Sequence, residues 1–296
     1  MVKSMYAAVS GLRSHQSKMD VISNNIANVN TWGFKSKNTS FTDSMYANSK
    51  IGSKGNNNTG GTNASQVGLG VNVSSISVNF ATGAFNPTGR ALDCMINGSG
   101  FFIVGTKNAN GIDQDKVAEN SLKLSKVGIF SVDSDGYLVD DAGNFVYGYE
   151  YDPNTKKMKN EAADKLKPIQ IPKDQNGDLP TIQTYKIGDD GTIVGVDSKE
   201  NVITIGQIAV ASVQNPNGLE HTEGYYFTPG ENAGTIKGMV TTPATGKILS
   251  GYLEMSNVDL AKEISDMITT QRGYQANTKI VTVTDEMLNE LVSMKR

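Results

Sequence analysis

Cysteine is nearly missing from this 296-residue chain: Cys94 stands alone, so no disulfide can form within one molecule. Histidine is almost as scarce, with only His15 and His221. Hydrolase chemistry of the Ser-His or Cys-His kind needs an imidazole beside its nucleophile. No Gly-x-Ser-x-Gly elbow or other recognisable nucleophile setting accompanies either histidine. Metal and phosphate chemistry lack their signatures too, since there is no His-Glu-x-x-His, no Cys-x-x-Cys pair and no Walker loop. No catalytic group, metal or cofactor is therefore expected. Nothing approaches the roughly 18 consecutive apolar residues of a membrane span, so no membrane insertion is expected. The opening "MVKSMYAAVSGLRSHQS" is interrupted by Ser10 and closed by Arg13, too weak for a secretory signal. With 27 basic against 30 acidic residues and no basic run, nucleic acid is not an expected partner. These signals alone describe a cytosolic protein.

What fills the chain instead is polar and turn-forming. At 38% hydrophobic and 19% charged, it leaves much of its length to Gly, Ser, Thr and Asn. Local patterns that mimic sites are better read as turns. "NGSGFF" carries Gly98 and Gly100 without a third glycine or a following helix, so tight-turn glycine is the expectation. "DSDG" at 133–136 and "DQNGD" at 174–178 lack the spacing and distal Glu of a calcium loop.

The two ends share a period. From about Ser4 to Val29, Met5, Leu12, Met19 and Ile26 recur every seven residues, with Ala8, His15, Ile22 and Val29 three positions on. Near the other end Leu260, Met267, Tyr274, Val281 and Leu288 repeat the spacing. "SNVD" at 256–259 fits a Ser-x-x-acid capping box that starts this second helix. Heptad seams of this kind suit packing against another helix.

Between them the texture is β. "VNVSSISVNF" alternates with a phase slip that predicts a bulge, and "GFFIVG" reads as a short buried strand. Asp135-Gly136, Ala142-Gly143, Asp190-Gly191 and Lys199–Asn201 mark turns in roughly ten short strands. The expected class is α+β: N- and C-terminal helices paired in coiled-coil fashion, a central all-β domain, and a flexible Gly/Asn-rich connection. The expected boundaries are 1–47 helical, 48–70 connecting, 71–251 β-rich and 252–296 helical.

One stretch needs its own explanation. "VISNNIANVNTWGFK" places Asn24, Asn25, Asn28 and Asn30 where a helix would favour Ala, Leu or Glu. Amides buried here must find hydrogen-bond partners, which would fix register, and Trp32 and Phe34 would anchor the helix exit around Gly33. Local capping at a frayed end is the alternative.

Three blocks together resemble the flagellar rod and hook family. They are "AVSGLRSHQSKMDVISNNIANVNTWGFKSKNTSF", "GRALDCMINGSGFFIVG" with "KVGIFSVDSDGYLVDDAGNFVYGY", and "GYLEMSNVDLAKEISDMITTQRGYQANTKIVTVTDEMLNEL", in the family's order. The resemblance implies a structural subunit, exported unfolded through the flagellar type III apparatus without a cleaved signal to the extracellular flagellum, which reverses the cytosolic reading. It implies a homopolymer, a hollow helical tube whose inner domain is the terminal helices and whose outer shell is the β-domain. The implied neighbours are the distal rod, the hook cap and the hook–filament junction. "YAAVSGL" is closer to hook members, and the short length is closer to the distal rod, so a short hook subunit is expected with a distal rod subunit as the alternative. Residues expected at the assembly interface, within and between subunits, are Met5, Leu12, Met19, Ile26, Leu260, Met267, Tyr274, Val281 and Leu288 of the seams, with Asn24, Asn25 and Asn28 hydrogen-bonding across them. Trp32, Phe34, Asn257, Asp259, Gln271, Arg272 and Asn277 complete the expected set. Cys94, in "DCMINGSGFF", resembles a cysteine of spirochaete hook proteins that loses sulfur and is attacked by a neighbouring subunit's lysine. An inert core cysteine is the alternative. A fused cell-wall hydrolase or an adhesin-like module would explain the chain less well, because neither requires matched heptads at both ends.

Overall fold

A first helix, α1 (Val2–Ala27), carries no proline and a single glycine, and so runs for 26 residues. It ends two residues before the expected Val29. There Asn28 turns its own amide back on the chain, N–H and Nδ2 both donating to Asn24 O at 3.2 and 2.9 Å. The computed structural model describes residues 2–55, 60–108, 111–113, 122–152, 157–158, 165–171, 182–197, 202–239 and 245–294. The second helix, α2 (Leu260–Ser293), is 34 residues long, about 50 Å at 1.5 Å per residue. Its N-cap is Asp259, whose carboxylate accepts from Ala261 N and Lys262 N at 3.0 and 3.3 Å. The expected Ser256 capping box therefore gives way to a simple Asp cap three residues later.

The chain forms two compact units. The first comprises Met1–Val29, Ser36–Asn79 and Val258–Arg296; the second comprises Asn30–Lys35 and Phe80–Asn257. The α+β class is as expected, and the boundaries shift. The strand expected to open the β-domain belongs to the helical unit. Strand β4 (Val71–Val78) pairs antiparallel with β1 (Lys37–Asp43) there. Its phase slip is the anticipated bulge, with Ser40 opposite Ser75 and Phe41 opposite Val73. The expected flexible connection is partly ordered as well: β2 (Tyr46–Lys50) pairs with β3 (Ser65–Gly68). Residues 56–59 of that connection fall outside the described residues, as do the "DQNGD" turn and Lys199–Asn201.

In the β-rich unit every described pairing is antiparallel. The main sheet runs in the order Ile182–Ile187, Thr192–Asp197, Val202–Ile208, Phe145–Asp152, Phe101–Gly105, Lys123–Ser125, Tyr226–Pro229, Leu219–His221. Its central strands are covered on both faces. Phe102, Val104, Val146, Ile208 and Val210 enter one core, while Phe101, Ile103, Tyr147, Ala209 and Ala211 enter the other. That is why "GFFIVG" is apolar without alternation. Gly136, Gly143 and Gly191 adopt φ of 84°, 81° and 78° at the predicted turns. Gly98 and Gly100 work differently from the turn expected of them. A Cβ on Gly98 would lie 2.6 Å from Gly246 Cα and Thr245 O, and one on Gly100 would lie 2.8 Å from Thr245 O. Close backbone approach, rather than a turn conformation, requires glycine at both positions.

Candidate assembly interface

Within the helical unit α1 and α2 run antiparallel. Gly11 lies beside Asn277, His15 beside Gly273, and Asn25 beside Glu263, so one number falls as the other climbs. The facing surfaces are small and polar. Ala8, Gly11, Ser14, Ile22 and Asn25 are the buried positions of α1, and Glu263, Thr270 and Thr284 those of α2. A Cβ on Gly273 would stand 2.8 Å from the His15 ring, and one on Gly11 would stand 2.8 Å from Asn277 Nδ2. The backbones approach so closely that hydrophobic knobs do not fit between them.

This displaces the expected seam. Met5, Leu12, Met19 and Ile26 on α1, and Met267, Val281 and Leu288 on α2, are only half-buried. Leu260 and Tyr274 are exposed, Tyr274 at 37%. The line on α2 that meets α1 is Glu263, Thr270, Asn277 and Thr284, the same period of seven shifted by three. Threonine satisfies itself there: Thr270 and Thr284 hydroxyls donate to Asp266 O and Ile280 O at 2.7 Å. Gln271 and Arg272 are exposed, and Asn277 is half-buried.

The asparagines divide. Asn25 is 1% exposed and fully used within the chain. Its Nδ2 donates to Lys37 O at 2.9 Å and Glu263 Oε1 at 3.2 Å, and its Oδ1 accepts from Lys37 N at 3.0 Å. The side chain thus stands in for a neighbouring strand at β1 and bonds across to α2, so the seam it bridges is the one within the subunit. Asn24 is exposed, and Asn28 Nδ2 caps locally on Asn24 O. Ser10 and Ser14 fasten the ribbon at the other end, Ser10 Oγ accepting from Val71 N and Ser14 Oγ donating to Val71 O, both at 3.2 Å. His15 meets Phe41 edge-on at 5.8 Å, and burial, with Lys18 second, lowers its pKa below the usual 6.5.

In the β-rich unit, Trp32 and Phe34 are half-buried around Gly33, whose φ of 63° supplies the anticipated bend. Asn257 donates through N to Phe34 O at 3.4 Å and through Nδ2 to Ala81 O at 3.1 Å. Sequence reasoning missed the buried ion pair beside them. Lys35 Nζ and Glu254 Oε1 lie 2.7 Å apart with side chains 1% and 0% exposed. Lys126 is buried as well, its ammonium donating to Gly98 O at 2.6 Å. Desolvation brings its pKa down to about 8, opposed by Glu254 and assisted by Lys35. Charged side chains in a polar stretch carry no sign of burial, so no pattern could have pointed to them.

Cys94 is fully buried in strand Cys94–Asn97, where its neighbour across the ladder is Ser250. Burial first, and then the Asp93 carboxylate, push its thiol above the ordinary 9.0. The thiol form is therefore favoured over the thiolate that sulfur loss would need. Among the described residues no group of three or more His, Cys, Asp or Glu could hold a metal, and no helix is long and apolar enough to cross a membrane.

Helices at both ends of the chain, a buried asparagine clamp and apolar side chains left outside describe a subunit built to associate. Comparison with known proteins agrees. The family "Flagella basal body rod protein" matches residues 5–35, and "Flagellar basal body rod FlgEFG protein C-terminal" matches 249–294. The chain is 36% identical to flagellar basal-body rod protein FlgG of Bacillus subtilis, over 100% of both chains. It is 31% identical to the rod protein FlgG of Agrobacterium fabrum, over 97% of each. To flagellar hook protein FlgE of Borreliella burgdorferi it is 27% identical across an alignment of 453 residues, 100% of each. The chain belongs to the flagellar rod and hook family of axial structural proteins.

Proposed function

We propose that this chain is a distal-rod-type subunit that polymerises through its helical unit into a hollow helical tube. One observation carries the assembly reading. Among large hydrophobic residues exposed in the described chain, only Phe85, Val202 and Tyr252 belong to the β-rich unit. The others belong to the helical unit, most of them on α1, α2 and the β1–β4 ribbon, with Met45, Tyr46, Ile51 and Val67 on or beside the β2–β3 pair. Soluble monomers rarely leave so much apolar surface in one place. A heterologous contact whose rotation does not close gives an open helical array from one kind of subunit.

Length favours rod over hook. Rod relatives align over 299 and 290 residues, near this chain's own 296, whereas the hook relatives need alignments of 453 and 464. The role is structural rather than catalytic. Export through the flagellar apparatus without a cleaved signal, and junctions with hook, cap and filament-junction proteins, belong to this same reading.

Electron microscopy of the purified protein after salt-induced polymerisation tests it. Straight tubes are the expected product. Curved tubes would return the hook reading, and a protein that stays monomeric at every salt concentration would sink the assembly reading altogether.

A further inference from the structure

The chain leaves the helical unit after Val29, lodges Asn30–Lys35 in the β-rich unit, and rejoins the helical unit at Ser36. Six residues thus form a strap. Gly33 N donates to Glu254 O at 2.8 Å, and a Cβ on Gly33 would stand 2.5 Å from Val127 Cγ2, so the strap lies flat against its floor. Lys35 Nζ donates to Glu254 Oε1 at 2.7 Å and to Ala81 O at 2.9 Å. Ala81 O also receives Asn257 Nδ2 at 3.1 Å, and Glu254 Oε1 also receives Gly83 N at 2.8 Å. The segments that begin and end this unit's long stretch, at Phe80 and Asn257, are therefore tied to the strap through one carboxylate and one carbonyl.

We propose that Lys35 and Glu254, with Ala81, Gly83 and Asn257, form a charge-locked clasp that makes the strap a separately openable element of the β-rich unit. The geometry gives it two states. Shut, Lys35 and Glu254 are paired in a site from which water is excluded, with the buried Lys126 near enough to sense both. Without Glu254, Lys35 is stranded beside a second buried cation, which is costly, whereas an apolar pair of similar volume in place of Lys35 and Glu254 is tolerated. Opening the strap rehydrates the stranded charge without disturbing the two cores, neither of which contains a residue of 30–35. Glu254 Oε2, buried without a hydrogen-bond partner, marks the pair as incompletely satisfied even when shut.

Native-state hydrogen exchange on the full chain tests this without requiring polymer, so its outcome is separable from that of the rod reading. In Glu254→Gln the Gly33 amide should exchange about a hundredfold faster, while the Phe102 and Val104 amides in mid-sheet keep their wild-type rates. Unchanged exchange at Gly33 would overturn the clasp. So would equal acceleration at all three sites, because the strap would then open only with the whole unit. If Glu254→Gln does not fold, Glu254→Gln/Lys126→Met, which removes the second buried cation, serves with the same three amides and the same outcomes. The neutral double variant Lys35→Met/Glu254→Met strands no charge, so Gly33 should keep near wild-type protection while Gly83, which loses its acceptor, exchanges faster. Acceleration at Gly33 as large as in the single variant would overturn the charge lock.

Discussion

Asn25 explains why a helix would tolerate so poor a helix former. Its amide replaces two ladder hydrogen bonds for β1 and adds one to α2, so three elements depend on one side chain. Asn25→Ala leaves the Lys37 amide and carbonyl short of partners, and should destabilise the helical unit by about 2–4 kcal/mol. Asn25→Asp should do no better, since it loses both N–H donors and sets a carboxylate against Glu263. Denaturant unfolding followed by helix signal would show either loss; wild-type stability in both would refute the clamp. The oddity of the residue was legible in the sequence, but its partner was not, because Lys37 reaches it only through the tertiary fold. Lys126 was not legible at all. Its folded pKa of about 8 lies below the ordinary 10.5. The unfolded chain therefore holds the extra proton between those values, and stability must rise with pH across that window. The gain is about 3 kcal/mol in total at 1.36 per pH unit. Lys126→Met should flatten the rise and raise stability at neutral pH, as a pH series of unfolding midpoints would reveal.

At the scale of elements, the heptad was visible in both helices and its meaning was half right. The spacing of seven reflects a real helix pair, but the line used inside the subunit is offset toward Gly, Ser, Thr and Asn. Hydrophobic periodicity cannot show a seam made of small polar residues, since it registers only the apolar rows that this packing leaves outside. Two tests separate the rows. Gly11→Ala with Gly273→Ala would favour an isolated helix by about 1 kcal/mol per site. Here the added methyl groups must displace Asn277 and the His15 ring, so the helical unit should become less stable. A more stable pair would mean the helices are not closely packed. On the outer row, Ile264 and Ile268 are 49% and 53% exposed, so Ile264→Asp/Ile268→Asp should leave monomer unfolding almost unchanged. The same variant should fail to sediment as polymer under salt that assembles the wild type. Normal polymer from it would remove this face from the interface.

For the whole molecule, the two units hold themselves together by different means, and their stabilities should differ accordingly. The β-rich unit has apolar residues on both faces of one sheet, with Phe101, Phe102, Phe130 and Tyr147 fully buried. The helical unit buries few large apolar side chains, of which Ile22 is one, and leaves Ile264, Ile280, Val283 and Leu291 in water. Hydrophobic stabilisation follows the apolar area removed from solvent, so the helical unit should be weak by itself, and under the proposed assembly a neighbouring copy that covers that row would strengthen it. Dilute monomer should therefore unfold in two steps, the helical signal first. Limited proteolysis should trim both ends and leave a resistant core near residues 80–257. That core begins later than the boundary drawn from sequence at residue 71, because β4 belongs to the weaker unit, and runs past the one drawn at 251. Polymer should bring the two transitions together, since partners that bind only the folded helices raise their apparent stability by mass action. A single cooperative melt in dilute monomer, with equal protease protection of ends and core, would show that the helical unit is already complete in one chain.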